Sequence, residues 1–192
     1  MRCNGKWVYL ENHTMNNLDK MYEWFNDREL IDIELGKIRD MDRSDYANNI
    51  MESFIENNHE KNTSFCHFGI HRIYNDELIG YVDFQDIDED LNNAELSLSI
   101  PDKKYRNKHY GVDATITAMV YGIMTRKIKN ITMRTRIDND AVKNICKKLD
   151  IEYTVDHWSG NGYVIDIIVY KINKEILLEI LNKENIVRVY CT

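Results

Sequence analysis

Apolar positions along the chain switch between a spacing of two and a spacing of three to four residues, and the switches predict the elements. Lys6 to Glu11 reads as a short strand. Thr14 is a candidate N-cap for a helix that buries Met15, Leu18, Met21, Tyr22 and Phe25 and ends near Asn26-Asp27. A second helix starts around Asp42 or Ser44, with Tyr46, Ala47, Ile50, Met51, Phe54 and Ile55 in one stripe before the polar Asn57-Asn58 stop. Ser64 to Ile73 and Leu78 to Asp86 are rich in branched and aromatic residues around the turn Tyr74-Asn75-Asp76-Glu77, which predicts an antiparallel hairpin. In Ala94 to Ile100 the alternation is strict: Ala94, Leu96, Leu98 and Ile100 share one face and Glu95, Ser97 and Ser99 the other, until Pro101 stops the strand.

Val112 to Thr125 is predicted as a helix burying Ile116, Met119, Val120 and Ile123, and Ile131 to Ile137 as the next strand. Asp138 or Asn139 caps a helix through Lys148. Ile151 to His157 and Tyr163 to Tyr170 are strands about the turn Ser159-Gly160-Asn161-Gly162. Asn173 to Thr192 carries one short amphipathic helix through Ile176, Leu177, Ile180 and Leu181. The order predicts an α/β fold, a mixed and mostly antiparallel central sheet flanked by helices. Residues 1–172 form the domain and 173–192 a C-terminal helical extension or tail, either a subunit contact of a homodimer or a lead into a further domain.

Composition narrows the function. A chain of 192 residues with 43% hydrophobic and 30% charged content fits one globular domain, and no apolar run approaches the roughly 20 residues of a spanning helix. A net charge of -7 disfavours a nucleic-acid partner, since such affinity comes mainly from Lys and Arg on phosphates. The N-terminus lacks the pattern of a secretory signal, and Cys3, Cys66, Cys146 and Cys191 are scattered without a CxxC pair. The expectation is a cytoplasmic protein with neither a disulfide framework nor a metal site, and no membrane partner. His67 and His71 share a strand face without a third ligand. With 8 Gly and 1 Pro there is no GxxxxGK[ST] loop, no GxGxxG fingerprint and no GxSxG elbow.

The segment from Ile100 to Gly111 runs from a strand end through a basic loop into a helix. Helix N-termini offer unpaired N–H groups and a positive partial charge, and Lys103, Lys104, Arg106 and Lys108 add cations in an acidic chain. This is an anion site by chemistry, or a solvated basic loop. Tyr105-Arg106-Asn107-Lys108-His109-Tyr110-Gly111 resembles the acyl-CoA loop [QR]xxGx[GA] of the GCN5-related N-acetyltransferases, with Arg106 and Gly111 at its ends. His109 stands at the central glycine and Asn107 at a glycine common in one branch; both types are enriched at positive φ. Asn139 to Ile151 resembles the family's NxxSxxxYxKLGF block, through Asn139, Lys148 and Leu149. Trp24-Phe25-Asn26-Asp27 resembles the W-x-N-D signature of the branch that modifies ribosomal-protein N-termini and amino sugars.

The resemblance implies an enzyme that moves an acetyl group from acetyl-CoA to a primary amine. It implies coenzyme contacts at Ser99, Ile100, Arg106, Asn107, Lys108, His109, Tyr110, Gly111 and Val112. Asn139 touches the pantetheine arm or serves as an N-cap. Cys146 falls where many members carry the tyrosine that protonates the departing thiolate. Glu95 is the candidate general base, on the polar strand face beside the expected thioester; the alternative is a surface carboxylate or a partner for an arginine. Asp83 and Asp86 on the neighbouring strand are secondary candidates for the base, and Trp24, Asp27, Glu29 and Asp83 are the candidates for the acceptor pocket. The acceptor expected is a small-molecule amine, with a nucleotide-linked amino sugar first and a protein N-terminal amine second. A degenerate acyl-CoA-binding module is the competing class.

Overall fold

The strands among the described residues are β1 (Arg2–Asn4), β2 (Val8–Asn12), β3 (Cys66–Arg72), β4 (Leu78–Asp88), β5 (Asn93–Ser99), β6 (Asn130–Arg136), β7 (Tyr153–Gly160), β8 (Tyr163–Asn173) and β9 (Tyr190–Cys191). They form one sheet in the order β7-β8-β6-β5-β4-β3-β2-β1-β9. This computed structural model describes residues 1–33, 41–57, 65–88, 92–160, 163–184 and 189–191. Every pairing is antiparallel except β5 with β6. That parallel pair spans only Asn93–Glu95 against Asn130–Thr132, so the two strands part beyond Glu95 and Thr132 and leave a fork in the middle of the sheet.

The helices are α1 (Leu18–Phe25), α2 (Arg28–Ile33), α3 (Arg43–Tyr46), α4 (Glu52–Asn57), α5 (Tyr110–Val120), α6 (Asp140–Lys148) and α7 (Lys174–Lys183). A wider turn over Ala47–Met51 joins α3 to α4, and another over Tyr121–Thr125 extends α5. On one face of the sheet α5 is buried from Asp113 to Val120, packed with Cys146 of α6, the following Leu149, and Leu177 and Ile180 of α7 against Phe68, Ile70, Phe84 and Leu96. On the other face Leu18, Met21 and Trp24 of α1 meet Tyr46, Ala47 and Met51, over Leu78 and Tyr81 of β4. The caps read from sequence are in place at two helices: Asp42 accepts from the Asp45 N–H at 2.8 Å and Asn139 from the Val142 N–H at 3.5 Å. No helix among the described residues is long and apolar enough to cross a membrane.

The structure departs from the sequence reading in several places. The Met15 side chain is 48% exposed, and Trp24 at 3% takes the inward position on α1. The α2 helix was not foreseen, and neither were β1 and β9. Helix α7, expected as an extension, buries Leu177 and Ile180 in the main core, and β9 closes the edge of the sheet beside β1. The turn expected at Asn161 and Gly162 lies outside the described residues.

The expectation of no disulfide is corrected. Cys3 and Cys191 face each other in the β1–β9 register and are bonded. Spacing along the chain could not show this, because the partners are separated by 188 residues. Closing a loop of that size removes on the order of 5 kcal/mol of chain entropy from the unfolded state. Urea unfolding should therefore give a lower midpoint with dithiothreitol than without, and Cys191→Ser should match the reduced protein. Equal midpoints for the oxidised and reduced forms would contradict the staple.

Candidate active site

The segment after β5 turns on Pro101 and makes a short helical turn over Lys103–Tyr105 before α5 begins at Tyr110. Asn107 and His109 both adopt left-handed backbone, with φ of 59 and 66. These are the two positions where the sequence lacks the customary glycines, and Asn and His tolerate that region better than other side chains. The backbone there can thus follow the wrapping path without glycine. At Gly111 a Cβ would lie 2.9 Å from Cδ1 of Ile145, so glycine lets α5 approach α6 closely.

A groove of about 110 Å3 runs along this segment. Leu98 and Ile100 form one wall, the loop from Tyr105 to Val112 another, and Ala141, Val142, Asn144, Ile145 and Lys148 of α6 the third. An elongated chain with an anionic head fits this shape: apolar walls for the arm, and a helix N-terminus with free amides for the head.

The loop cations divide their work. The Arg106 guanidinium donates to the carbonyls of Ile100 (3.0 Å) and Pro101 (2.7 Å), so it pins the loop to the strand end. Lys103 pairs with Glu29 of α2 at 2.8 Å, and Lys104 lies 3.8 Å from Glu77 and 3.9 Å from Asp102. Lys108 is exposed and carries no ion pair among the described residues.

A second set of contacts, not singled out in the sequence, holds the loop from the β3–β4 turn. The Tyr105 hydroxyl donates to the Glu77 carboxylate, which also accepts from Arg72 (3.2 Å) and Asn75 (3.1 Å). The Tyr105 hydrogen bond, then Asn75 and Arg72, hold the Glu77 carboxyl below its usual range. Arg72 in turn lies over the rings of Tyr105 and Tyr110, 5.5 and 5.6 Å from their centroids. Tyr105→Phe removes a charge-assisted bond that orders the groove wall, so KM for acetyl-CoA should rise about tenfold at nearly constant kcat. Steady-state kinetics against coenzyme concentration check this; an unchanged KM would contradict it.

Two residues carried over from the second motif lie off the groove. Asn139 caps α6 with its side chain, and Cys146 faces the core at 0% exposure. Burial pushes the Cys146 thiol up to about 12, which unsuits it for proton transfer at neutral pH.

Glu95 stands at the point where the fork opens, opposite Thr132, and its carboxylate pairs with the Arg134 guanidinium across the fork. Burial raises the Glu95 pKa above the ordinary glutamate value; Arg134 opposes the shift and Asp86 adds to it. Asp86 sits at a bulge in β4 with φ of 49. Glu95, Arg134 and Asp86 line a second cleft of about 610 Å3 on the closed side of the fork.

The expected acceptor residues are dispersed. Trp24 is buried against Tyr81, with ring centroids 6.1 Å apart and its indole N–H without a hydrogen-bond partner among the described residues. The Asp27 carboxylate caps α2 by accepting from the N–H groups of Glu29 (2.9 Å) and Leu30 (3.2 Å). Glu29 is committed to Lys103. Asp83 is buried at 5% exposure and accepts from Gln85 at 2.8 Å. None of these four lines the two clefts described. Nearby, His13 and His67 are buried with their rings joined at 2.8 Å, and burial drives both toward the neutral form. Among the described residues no group of three or more His, Cys, Asp or Glu side chains is placed to hold a metal.

A forked mixed sheet with a basic loop and a helix N-terminus at the fork matches the frame of an acyl-CoA-dependent transferase. The family described as the acetyltransferase (GNAT) domain matches residues 8–152, and the chain belongs to it. It is an acetyl-CoA-dependent N-acetyltransferase, with acetyl-CoA as cosubstrate.

Solved structures share the fold at low identity. A GNAT-family acetyltransferase from Bacillus anthracis is 17% identical with a TM-score of 0.72, over 91% of this chain and 99% of that one. Spermidine N-acetyltransferase from Vibrio cholerae, in complex with CoA and spermine, is 14% identical with a TM-score of 0.73, over 90% and 98%. The microcin C7 self-immunity acetyltransferase MccE, in complex with acetyl-CoA and AMP, is 16% identical with a TM-score of 0.70, over 88% and 93%. Comparison with curated protein sequences gives no significant match.

Proposed function

We propose that the chain acetylates the primary amine of a small molecule by direct attack, with Glu95 as general base. The observation that carries this is the placement of Glu95: a half-buried carboxylate of raised pKa at the opening of the fork, lining the second cleft and on the strand whose Leu98 and Ile100 wall the groove. The acceptor amine gives up a proton to Glu95, directly or through one water, and its nitrogen bonds to the acetyl carbon. Main-chain N–H groups of β5 beyond the fork stabilise the oxyanion. The C–S bond then breaks, the nitrogen gives up its remaining extra proton to solvent, and the CoA thiolate takes a proton from solvent, because Cys146 is buried away from the groove. A base is needed because an amine with a pKa near 10.4 is mostly protonated at neutral pH, which costs about 5 kcal/mol at roughly 1.4 per pH unit.

The polar cleft around Glu95 favours a nucleotide-linked amino sugar as acceptor, with a protein N-terminal amine second. The Vibrio cholerae neighbour with bound spermine and MccE with bound AMP support an acceptor of small-molecule size. We do not assign nucleic acid or membrane as a partner. A thiol-release assay with acetyl-CoA against nucleotide-linked amino sugars, simple amines and peptides tests the reading. Release with any of the amines sustains it, whereas coenzyme binding without release on the whole panel favours a binding module.

A further inference from the structure

The cleft on the closed side of the fork carries charges of both signs on one wall. Lys171 of β8 is in register with Thr132, and Thr132 with Glu95, so Lys171, Arg134 and Glu95 share one face of the sheet. Asp86 faces them from the β4 bulge, and the amides of Asn93 and Asn130 join at 2.9 Å on the floor. Arg134 is taken up by Glu95, whereas Lys171 is exposed and has no hydrogen bond or ion pair among the described residues. The cleft volume of about 610 Å3 leaves room for a ligand of sugar-phosphate size.

The geometry points to an acceptor that carries an anionic group, phosphate or carboxylate, held by Lys171 while its amine lies at Glu95 and Asp86. This rests on the transferase reading above and narrows it: the substrate is an amphoteric amine and not a polyamine. A polyamine would gain at Glu95 and Asp86 but bring its second cation against Lys171 and Arg134, and like charges at close range disfavour it. An anionic amine satisfies both ends at once. The anion also keeps Arg134 from drawing the whole Glu95 carboxylate, since it offers the guanidinium a second acceptor.

The test uses matched amines on the CoA-saturated protein: ethanolamine against its phosphate monoester, propylamine against β-alanine, and spermidine alone. Calorimetry reads affinity and thiol release reads kcat/KM. Each anionic amine should bind about fivefold more tightly than its neutral parent, the amount one partly exposed ion pair supplies, and spermidine should bind worst. Lys171→Glu should reverse the order of β-alanine and spermidine, and the milder Lys171→Gln should abolish the preference without reversal. The phosphate and carboxylate arms separate the two sources of anion. Equal affinities within each pair, no binding of any amine, or spermidine as the tightest ligand each overturn the proposal. Those outcomes leave the transferase reading standing if thiol is still released on other amines. Failure to bind CoA overturns that reading instead, while the charge preference is still read on the CoA-free protein.

Discussion

Replacing Glu95 with Gln is expected to lower kcat roughly a hundred- to ten-thousand-fold, the range general bases supply, while CoA affinity stays as it was. The split follows from position. Glu95 lies at the fork opening and lines the second cleft, whereas the coenzyme groove is walled by Leu98, Ile100 and the loop. The pH dependence gives an independent sign. The base acts only when deprotonated, so kcat/KM falls as pH drops through the Glu95 pKa. Burial has raised that pKa, with Arg134 opposing, so the acid limb lies above the ordinary glutamate value. Arg134→Leu removes the opposing charge and moves the limb to still higher pH. An unchanged kcat in Glu95→Gln, or a limb that persists in that variant, would remove Glu95 from the role and leave it as a partner for Arg134.

Asp113→Ala should cost about 3 kcal/mol of unfolding free energy or more, the second large effect. Asp113 sits in the first turn of α5, is 6% exposed, and accepts three backbone N–H bonds from the β1–β2 turn: Lys6 (2.9 Å), Trp7 (2.6 Å) and Val8 (2.9 Å). Each donor loses a charged acceptor at a site with little access to water, at about 1 kcal/mol or more apiece. The packing is close: a Cβ on Gly5 would lie 2.5 Å from Oγ1 of Thr117. Because α5 begins at the coenzyme loop, the same variant should also bind CoA less tightly. Urea unfolding and calorimetry measure the two effects. A stability loss under about 1 kcal/mol would show that the β1–β2 turn is held by other contacts.

The parts of the fold legible in the sequence are those fixed by local chemistry. Strict alternation placed β5, Asp42 and Asn139 gave helix starts, and Pro101 gave the strand end. The mixed, mostly antiparallel sheet followed from the element order, and the family from the loop. The terminal strands β1 and β9 are three and two residues long, too short for a period to register. Their pairing and the Cys3–Cys191 bond depend on contacts between chain ends. The loop positions Asn107 and His109 were legible because residue type and backbone region are linked. Side-chain partners were not: Arg106 turned to the carbonyls of Ile100 and Pro101, and Asp27 and Glu29 to a cap and to Lys103. Arg134 and Lys171 lie on adjacent strands whose register with Glu95 no local pattern gives. The polar positions Thr132 and Arg134, alternating with Ile131 and Met133, were the available signal.

A crystal structure of the complex with CoA should show the diphosphate against the main-chain amides between Asn107 and Val112, Lys108 turned toward it, His109 keeping its positive φ, and the pantetheine arm between Leu98, Ile100 and Ile145. CoA bound elsewhere, or an His109 ring filling the groove so that no diphosphate fits, would contradict it.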